Sequence, residues 1–141
     1  MKEIKYLMKG ISIEQFATPF KPESEKFAIN LSIPIKTNFT EHTLAVGANV
    51  QFMENDKTFL IAEVFCHFLI DADCWNELSA NETEDVVLPK GFINNLASIA
   101  VSTTRGVICA KTENTPFAPF FLPLFLINSK DGEDVIIAKT E

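Results

Sequence analysis

Apolar and polar residues alternate along the first half of the chain with the period of two that is typical of β-strands. The first strand is predicted over residues 2–14, where apolar residues hold even positions up to Met8 and odd positions from Ile11 onward. Because a strand that gains one residue changes which parity faces the core, this switch predicts a β-bulge near Gly10.

Three further strands follow. The segment from Phe27 to Lys36 alternates regularly, and Pro34 indicates a place at or near a sheet edge, since proline cannot donate a hydrogen bond to a neighbouring strand. Residues 44–52 repeat the alternation, and the turn residues at 54–57 predict a hairpin. The strand after the hairpin, residues 58–71, is apolar on both parities and is expected to be covered on both faces.

The second half contains one long predicted helix, over residues 89–111, after an acidic connection at 71–85 in which Cys74 to Leu78 suits a single helical turn. Pro89 suits the first turn, and Gly106 predicts a close contact with a neighbouring element. The predicted buried stripe is Phe92, Leu96, Ile99, Thr103 and Val107, widened by Ile93, Ala97 and Ala100. The expected fold is α+β, a four-stranded antiparallel sheet with one long helix packed on it, in a single domain over residues 1–141.

Composition narrows the function classes. Of 141 residues, 47% are hydrophobic and 22% are charged, which argues against disorder for most of the chain. The net charge of −7 argues against nucleic-acid binding and leaves basic or unfolded cationic partners open. No apolar run is long enough to span a bilayer, and the first residues lack the apolar core of a signal peptide, so a cytoplasmic location is expected.

Candidate chemistry is sparse. Cys66 and His67 are neighbours on a strand and therefore point to opposite faces, so they cannot ligate one metal ion. A nucleophilic pair of Cys109 with His67 or His42 is supported by no spacing, and the scattered glycines form no phosphate-binding loop. We expect no catalytic residue, no metal site and no cofactor, and three reduced thiols.

Phenylalanine is the compositional outlier, with 13 residues against one Trp and one Tyr. Regular elements place Phe52, Phe59, Phe65 and Phe92 in the core. Six others lie on two proline-containing segments that are neither helix nor strand in pattern: Phe16, Phe20, Phe117, Phe120, Phe121 and Phe125. Prolines at 116, 119 and 123 predict an extended arm over 115–128. Such segments favour an apolar groove or an oligomer interface.

The order of these parts resembles the SecB-like protein-export chaperone family over roughly residues 3–128. The resemblance rests on a first strand with "KGISIE", a Phe/Pro-bearing crossover loop at Glu14 to Lys26, three antiparallel strands, and then three short motifs. Those motifs match at Leu88-Pro89, which opens the long helix, at Arg105-Gly106, which closes it, and at Leu122-Pro123 with Asn128.

The resemblance implies an ATP-independent holdase that binds unfolded polypeptides or preproteins in protein export, along apolar grooves formed partly by the crossover loop. It also implies a homo-oligomer, either a dimer or a tetramer built as a dimer of dimers. Carried over by position, Phe16 and Phe20 become groove residues and Phe27 joins them. With the arm residues Phe117, Phe120 and Phe121, these are the predicted peptide-binding residues.

Three departures from the family pattern shape the expectation. Leu124 stands where the family has a second proline, the family's second helix is truncated or absent, and no zinc-binding or basic tail is present. They favour a relative with its own client set, such as a chaperone tied to a toxin–antitoxin system. Two alternatives stay open: a binding module dedicated to one partner, and a small-molecule carrier or enzyme with an apolar pocket under the helix.

Overall fold

The computed structural model describes residues 4–78, 86–123 and 135–137. Its main sheet has five antiparallel strands: β1 (Tyr6–Ala17), β2 (Ala28–Ser32), β3 (Ile35–Asn38), β4 (Thr43–Glu54) and β5 (Lys57–Ile70). The remaining elements are α1 (Ala72–Leu78), β6 (Val86–Leu88), α2 (Lys90–Thr112) and β7 (Val135–Ile137), with β6 paired to β7. The predicted α+β class with an antiparallel sheet and one long helix is confirmed.

The fifth strand arises because one predicted strand is divided. In the sheet order β1-β5-β4-β2, both β2 and β3 pair with β4, and their register is continuous: Ser32 lies opposite Asn49 and Ile35 opposite Val46. Pro34 lies in the gap, where its carbonyl accepts the Gly47 N–H at 2.9 Å but its own nitrogen has no hydrogen to donate. The predicted edge position is confirmed, and the count of four strands is corrected to five.

β1 forms the opposite edge of the sheet and carries the predicted bulge. Its register against β5 shifts between Met8 and Gly10, and a second shift follows between Ile13 and Gln15. The first shift brings Met8 and Ile11 to the same face of the sheet, as the parity switch indicated, because they pair with Phe68 and Cys66. Both of those β5 residues belong to the core against α2.

The β4–β5 hairpin turns on Asn55 and Asp56, whose φ angles of 52° and 65° are those that a tight two-residue turn requires. One face of β5 is buried against α2. The other face is only partly covered: Phe65 is 1% exposed, whereas Ile61 and Leu69 are half-buried. The expectation that β5 is covered on both faces is therefore correct for the face toward α2. On the other face only part of the strand is covered.

Helix α2 has the predicted length, but it is rotated about its axis relative to the predicted stripe. Its buried residues are Ile93, Leu96, Ala97, Ala100, Val101, Thr104, Ile108 and Thr112. Phe92, Ile99, Thr103 and Val107 are half-buried and lie on its flank. Gly106 is exposed, and a Cβ atom added there would meet no other atom within 4 Å, so the predicted close contact is wrong.

The core has two parts along α2. One surrounds the first half of the helix, where Leu44 and Phe68 pack with Leu96. The other surrounds the second half, where Phe52 and Phe59 pack with Ile108 and with residues that follow the helix. This second part opens onto the surface. Within residues 4–78, 86–123 and 135–137, no helix combines the length and the apolar character needed to cross a membrane.

Candidate peptide-binding surfaces

Six phenylalanine rings meet at the end of the sheet near the β4–β5 turn, and we call them the phenylalanine cluster: Phe20, Phe27, Phe52, Phe59, Phe117 and Phe120. Phe59 is the centre. Its ring centroid lies 4.8 Å from that of Phe120, 6.1 Å from Phe27, 6.3 Å from Phe20 and 6.5 Å from Phe117. Most contacts are edge-to-face, the geometry that aromatic quadrupoles favour.

The crossover loop is fixed to the hairpin by one carboxylate. Glu54, at the end of β4, accepts the backbone N–H groups of Glu23 and Ser24 at distances of 2.9 to 3.1 Å. These bonds hold the middle of the loop, so that Phe20 and Phe27 enter the cluster from its two sides. Both rings are half-buried, which leaves part of each open to solvent.

The structure brings together four of the six predicted peptide-binding residues, since Phe20, Phe27, Phe117 and Phe120 all belong to the cluster. Phe16 packs at its margin, but it lies in β1 and not in the crossover loop, because the strand continues three residues past its predicted end. Lys111 Nζ lies 5.9 Å from its ring centroid. Phe121 points away and is 61% exposed. Phe125 and Asn128 lie outside the described residues.

Residues 113–123 form the described part of the arm, and we call them the arm segment. They are a series of tight turns and not extended chain: the N–H groups of Thr115, Ala118 and Phe120 each donate to the carbonyl three residues earlier. Asn114, with a φ of 62°, starts the reversal after α2. Prolines exclude a helix here but permit successive turns, so the predicted extended conformation is wrong for this part.

The arm segment is attached to the domain by side chains. Phe120 is 5% exposed and Leu122 is fully buried, and no backbone–backbone hydrogen bond joins residues 113–123 to the strands of the described chain. Arg105 supplies the polar attachment: its Nε donates to the Leu122 carbonyl at 2.7 Å and its Nη2 to the Pro123 carbonyl at 2.9 Å. Sequence reasoning singled out Arg105 as half of a motif but did not foresee this role.

A second apolar surface lies on the free edge of β1, and we call it the β1 stripe: Met8, Ile11 and Ile13. These side chains are 39%, 52% and 46% exposed, although they lie on the same sheet face as α2. The helix covers β4 and β5 and leaves the middle of β1 open. Its side chains contact the two ends of β1, where Asn95 Nδ2 donates to the Tyr6 hydroxyl at 3.1 Å and Lys111 lies near the Phe16 ring. The alternation in the sequence predicted the strand correctly, yet it could not show that its apolar face is left open.

Polar contacts elsewhere are modest. Ser12 Oγ and His67 Nε2 form a cross-strand hydrogen bond of 2.8 Å on the sheet face away from α2. Burial raises the pKa of the Cys66 thiol, and a hydrogen bond with Thr103 opposes that shift. Cys66 and Cys74 are buried whereas Cys109 is exposed, contrary to its apolar sequence setting. No group of three or more potential metal ligands occurs within residues 4–78, 86–123 and 135–137.

Surface clefts lie at both ends of the sheet, and two large ones bear on the carrier alternative. One, of about 680 Å³, lies between the crossover loop and the hairpin turn, from Glu23 to Phe27 and from Met53 to Asp56. The other, of about 370 Å³, is lined by the start of β1, by His42 and by the end of β5. No residue of α2 lines either cleft, so neither supports a carrier pocket under the helix.

Comparison with known proteins yields little. No family model matches the sequence, and no curated protein matches it. The fold is similar to that of a solved protein of unknown function from Streptococcus agalactiae, with a TM-score of 0.41 and 13% identity, over 79% of this chain and 90% of that one. At this level of similarity the comparison carries no argument about family or function.

Proposed function

We propose that this protein is a cytoplasmic, ATP-independent holdase of the SecB-like class, which binds unfolded or non-native polypeptides at the phenylalanine cluster. The observation that carries the proposal is that the crossover loop, the β4–β5 hairpin and the arm segment each supply rings to one patch. Phe20, Phe27 and Phe117 remain half-exposed there. Partly exposed aromatic clusters are typical of binding surfaces and are unusual on the surface of a protein with no partner.

The cluster suits clients of varied sequence. Its walls are rings and not hydrogen-bonding groups, so affinity comes from apolar area and not from matching of specific side chains. Covering one aromatic side chain contributes about 1.5 to 3 kcal/mol, and several together support roughly micromolar binding after the client's ordering costs. The net charge of −7 favours basic clients.

The proposal includes a homo-oligomer in which the β1 edges of two copies pair. Centred on Ser12, an antiparallel pair places Ile11 of each copy opposite Ile13 of the other, so that the side chains of the two β1 stripes pack against each other. Lys9 and Glu14 are the only charged residues of β1, and this register brings them within one position of each other across the pair. Strand edges are completed readily in this way, because each offers a row of unpaired backbone groups.

The test is suppression of aggregation of a chemically unfolded client by stoichiometric amounts of the full chain. We expect suppression by the wild type and a threefold to tenfold weaker client affinity in Phe20→Ala, because roughly 1 kcal/mol of contact is lost. Phe121→Ala is the matched control, since its ring lies outside the cluster. If the wild type fails with several clients, the holdase proposal is wrong; co-purification of one polypeptide from cells favours a dedicated binding module.

A further inference from the structure

The most informative feature of the proposed client site is that part of it belongs to the arm segment, which packs on the rest. The crossover loop and the sheet supply one side, formed by Phe20, Phe27, Phe52 and Phe59. The arm segment supplies Phe117, Phe120 and Leu122, which pack against those four rings. Phe120 makes the deepest contact, with its ring centroid 4.8 Å from Phe59 and 5.4 Å from Phe27.

The way the arm segment is held differs from the way core elements are held. The backbone hydrogen bonds donated by Ala118 and Phe120 are internal turns, and that donated by Thr115 goes to Thr112 at the end of α2; the arm segment forms no ladder with the sheet in the described chain. Prolines 116, 119 and 123 deprive it of three donors. Beyond the Thr115 bonds to the last residue of α2, its attachment consists of buried apolar side chains and of two hydrogen bonds from one arginine to main-chain carbonyls. Any polypeptide with suitably spaced apolar side chains can offer the same two kinds of contact.

From these contacts we infer that the arm segment is an internal stand-in for a client. In the resting protein it covers Phe20, Phe27, Phe52 and Phe59, and a client binds these four rings of the cluster by displacing the arm segment together with Phe117 and Phe120. The inference rests on the proposed function, and it identifies the class of client. The preferred sequence has two aromatic residues three positions apart and a large aliphatic residue two positions later, as in Phe117, Phe120 and Leu122.

Arg105 gives the site its tolerance of sequence. Its guanidinium binds the carbonyls of Leu122 and Pro123 from a fixed planar fork, and every residue of any client has such a carbonyl. The aromatic side selects apolar side chains, and Arg105 holds the backbone that carries them.

The arm also sets the affinity. A tethered competitor acts at an effective concentration of about millimolar for a short linker, so the apparent dissociation constant of a client rises by the inverse of the open fraction. Weakening the arm therefore strengthens client binding, whereas damage to the opposite side of the site weakens it. If the arm segment has only a structural role, changes on the two sides of the site are not expected to shift client affinity in opposite directions.

The experiment uses the full chain and a fluorescein-labelled peptide with the sequence of residues 114–123, followed by fluorescence anisotropy. Phe120→Ala is expected to bind this peptide at least about tenfold more tightly than the wild type, because the buried ring is the main contact of the competitor. Phe121→Ala is the matched control, since it removes an exposed ring from the same segment, and its affinity is expected to equal that of the wild type.

Pro119→Gly covers the case in which Phe120→Ala does not fold. Pro119 is exposed, and replacing it leaves every contact of the cluster in place while giving the released arm more conformations, so the peptide is expected to bind about two to five times more tightly. Folding is checked by the cooperative thermal transition of each variant.

The outcomes separate the two proposals. Tighter binding by Phe120→Ala or Pro119→Gly, with Phe121→Ala unchanged, supports the stand-in. If folded variants bind no more tightly than a wild type that suppresses aggregation, the stand-in is wrong and the holdase stands. If neither the wild type nor any variant binds the peptide or suppresses aggregation, both are wrong. A peptide with alanine at the positions of Phe117 and Phe120 must bind at least about tenfold more weakly; equal binding contradicts the stated client class.

Discussion

On the sheet face away from α2, the glycine at position 47 leaves the space that the ring of Phe65 occupies. A Cβ atom on Gly47 would lie 2.8 Å from two carbons of the Phe65 ring and 3.0 Å from the Val64 carbonyl oxygen. Lys36 also covers this ring, with its Nζ 4.4 Å from the centroid. Phe65 is therefore 1% exposed on a face with no further layer above it in the described chain.

Gly47→Ala should lower the free energy of unfolding by about 1 to 3 kcal/mol, because the ring or the backbone of β5 has to move. Thermal unfolding measures this as a fall in Tm. Gly106→Ala is the control: it lies on the exposed side of α2 with open space around it, and alanine should stabilise the helix by up to about 1 kcal/mol. Equal Tm values for Gly47→Ala and the wild type would contradict the packing described.

Burial of Cys66 makes the stability of the folded protein depend on pH in the alkaline range. Burial raises the pKa of its thiol in the folded state above the ordinary value of about 8.5. Below that value both states keep the proton, and the contribution to stability is complete. As the pH rises, the unfolded chain loses the proton first, so stability is lost progressively until the pKa of the folded state is passed.

We therefore expect the stability of the wild type to fall more steeply above about pH 9 than that of Cys66→Ala, although the variant is less stable at neutral pH. Chemical denaturation at a series of pH values gives both slopes. Cys109→Ala serves as the control for loss of a thiol, because Cys109 is exposed. Parallel slopes for wild type and Cys66→Ala would contradict the assignment.

At the scale of elements, the β1 edge offers a charge-reversal test of self-pairing. Lys9→Glu and Glu14→Lys each place like charges near each other twice in a two-fold pair, so each should weaken self-association by about fivefold to thirtyfold. The double variant restores opposite charges and should recover most of the loss. Sedimentation equilibrium at low salt measures all four proteins. A monomeric wild type, or a double variant as weak as the single ones, would count against pairing through β1.

The elements that could be predicted from the sequence are those whose signal is local. The parity switch predicted the bulge at Gly10, and Pro34 predicted an edge, because both follow from backbone geometry. The face of α2 was misjudged for a chemical reason. Thr104 and Thr112 are buried, and their hydroxyl groups donate to the carbonyls four residues earlier, at 2.7 Å each. Two polar residues therefore lie on the buried face, where the hydrophobic pattern alone would not place them.

The candidate site also combines features that have a local sequence signal with features that have none. Proline content indicated that Phe20, Phe117 and Phe120 lie outside regular elements, and the structure brings them together. Their mutual contacts depend on the path of the crossover loop, which Glu54 fixes from a strand that comes 30 residues later. Contacts over such separations leave no periodic trace in one sequence. The role of Arg105 toward Leu122 is hidden for the same reason.

At the scale of the whole molecule, the charge of −7 should appear in the salt dependence of client binding. An unstructured peptide with several lysines should lose about tenfold in affinity between about 50 mM and about 500 mM salt, because screening removes its long-range attraction. A peptide with the same aromatic residues and no net charge should bind equally or slightly more tightly at high salt. Fluorescence anisotropy distinguishes the two, and equal salt dependence would show that charge plays no part in client choice.

The two edges of the sheet differ in how readily they would let an oligomer add copies beyond two. The edge made of β2 and β3 is interrupted at Pro34, which offers no donor and divides the edge into strands of five and four residues. β1 is a twelve-residue strand. If β1 pairs with a second β1, the joined sheet ends at both sides in interrupted edges. Interrupted edges of this kind disfavour the addition of further strands, which would suit the proposed holdase.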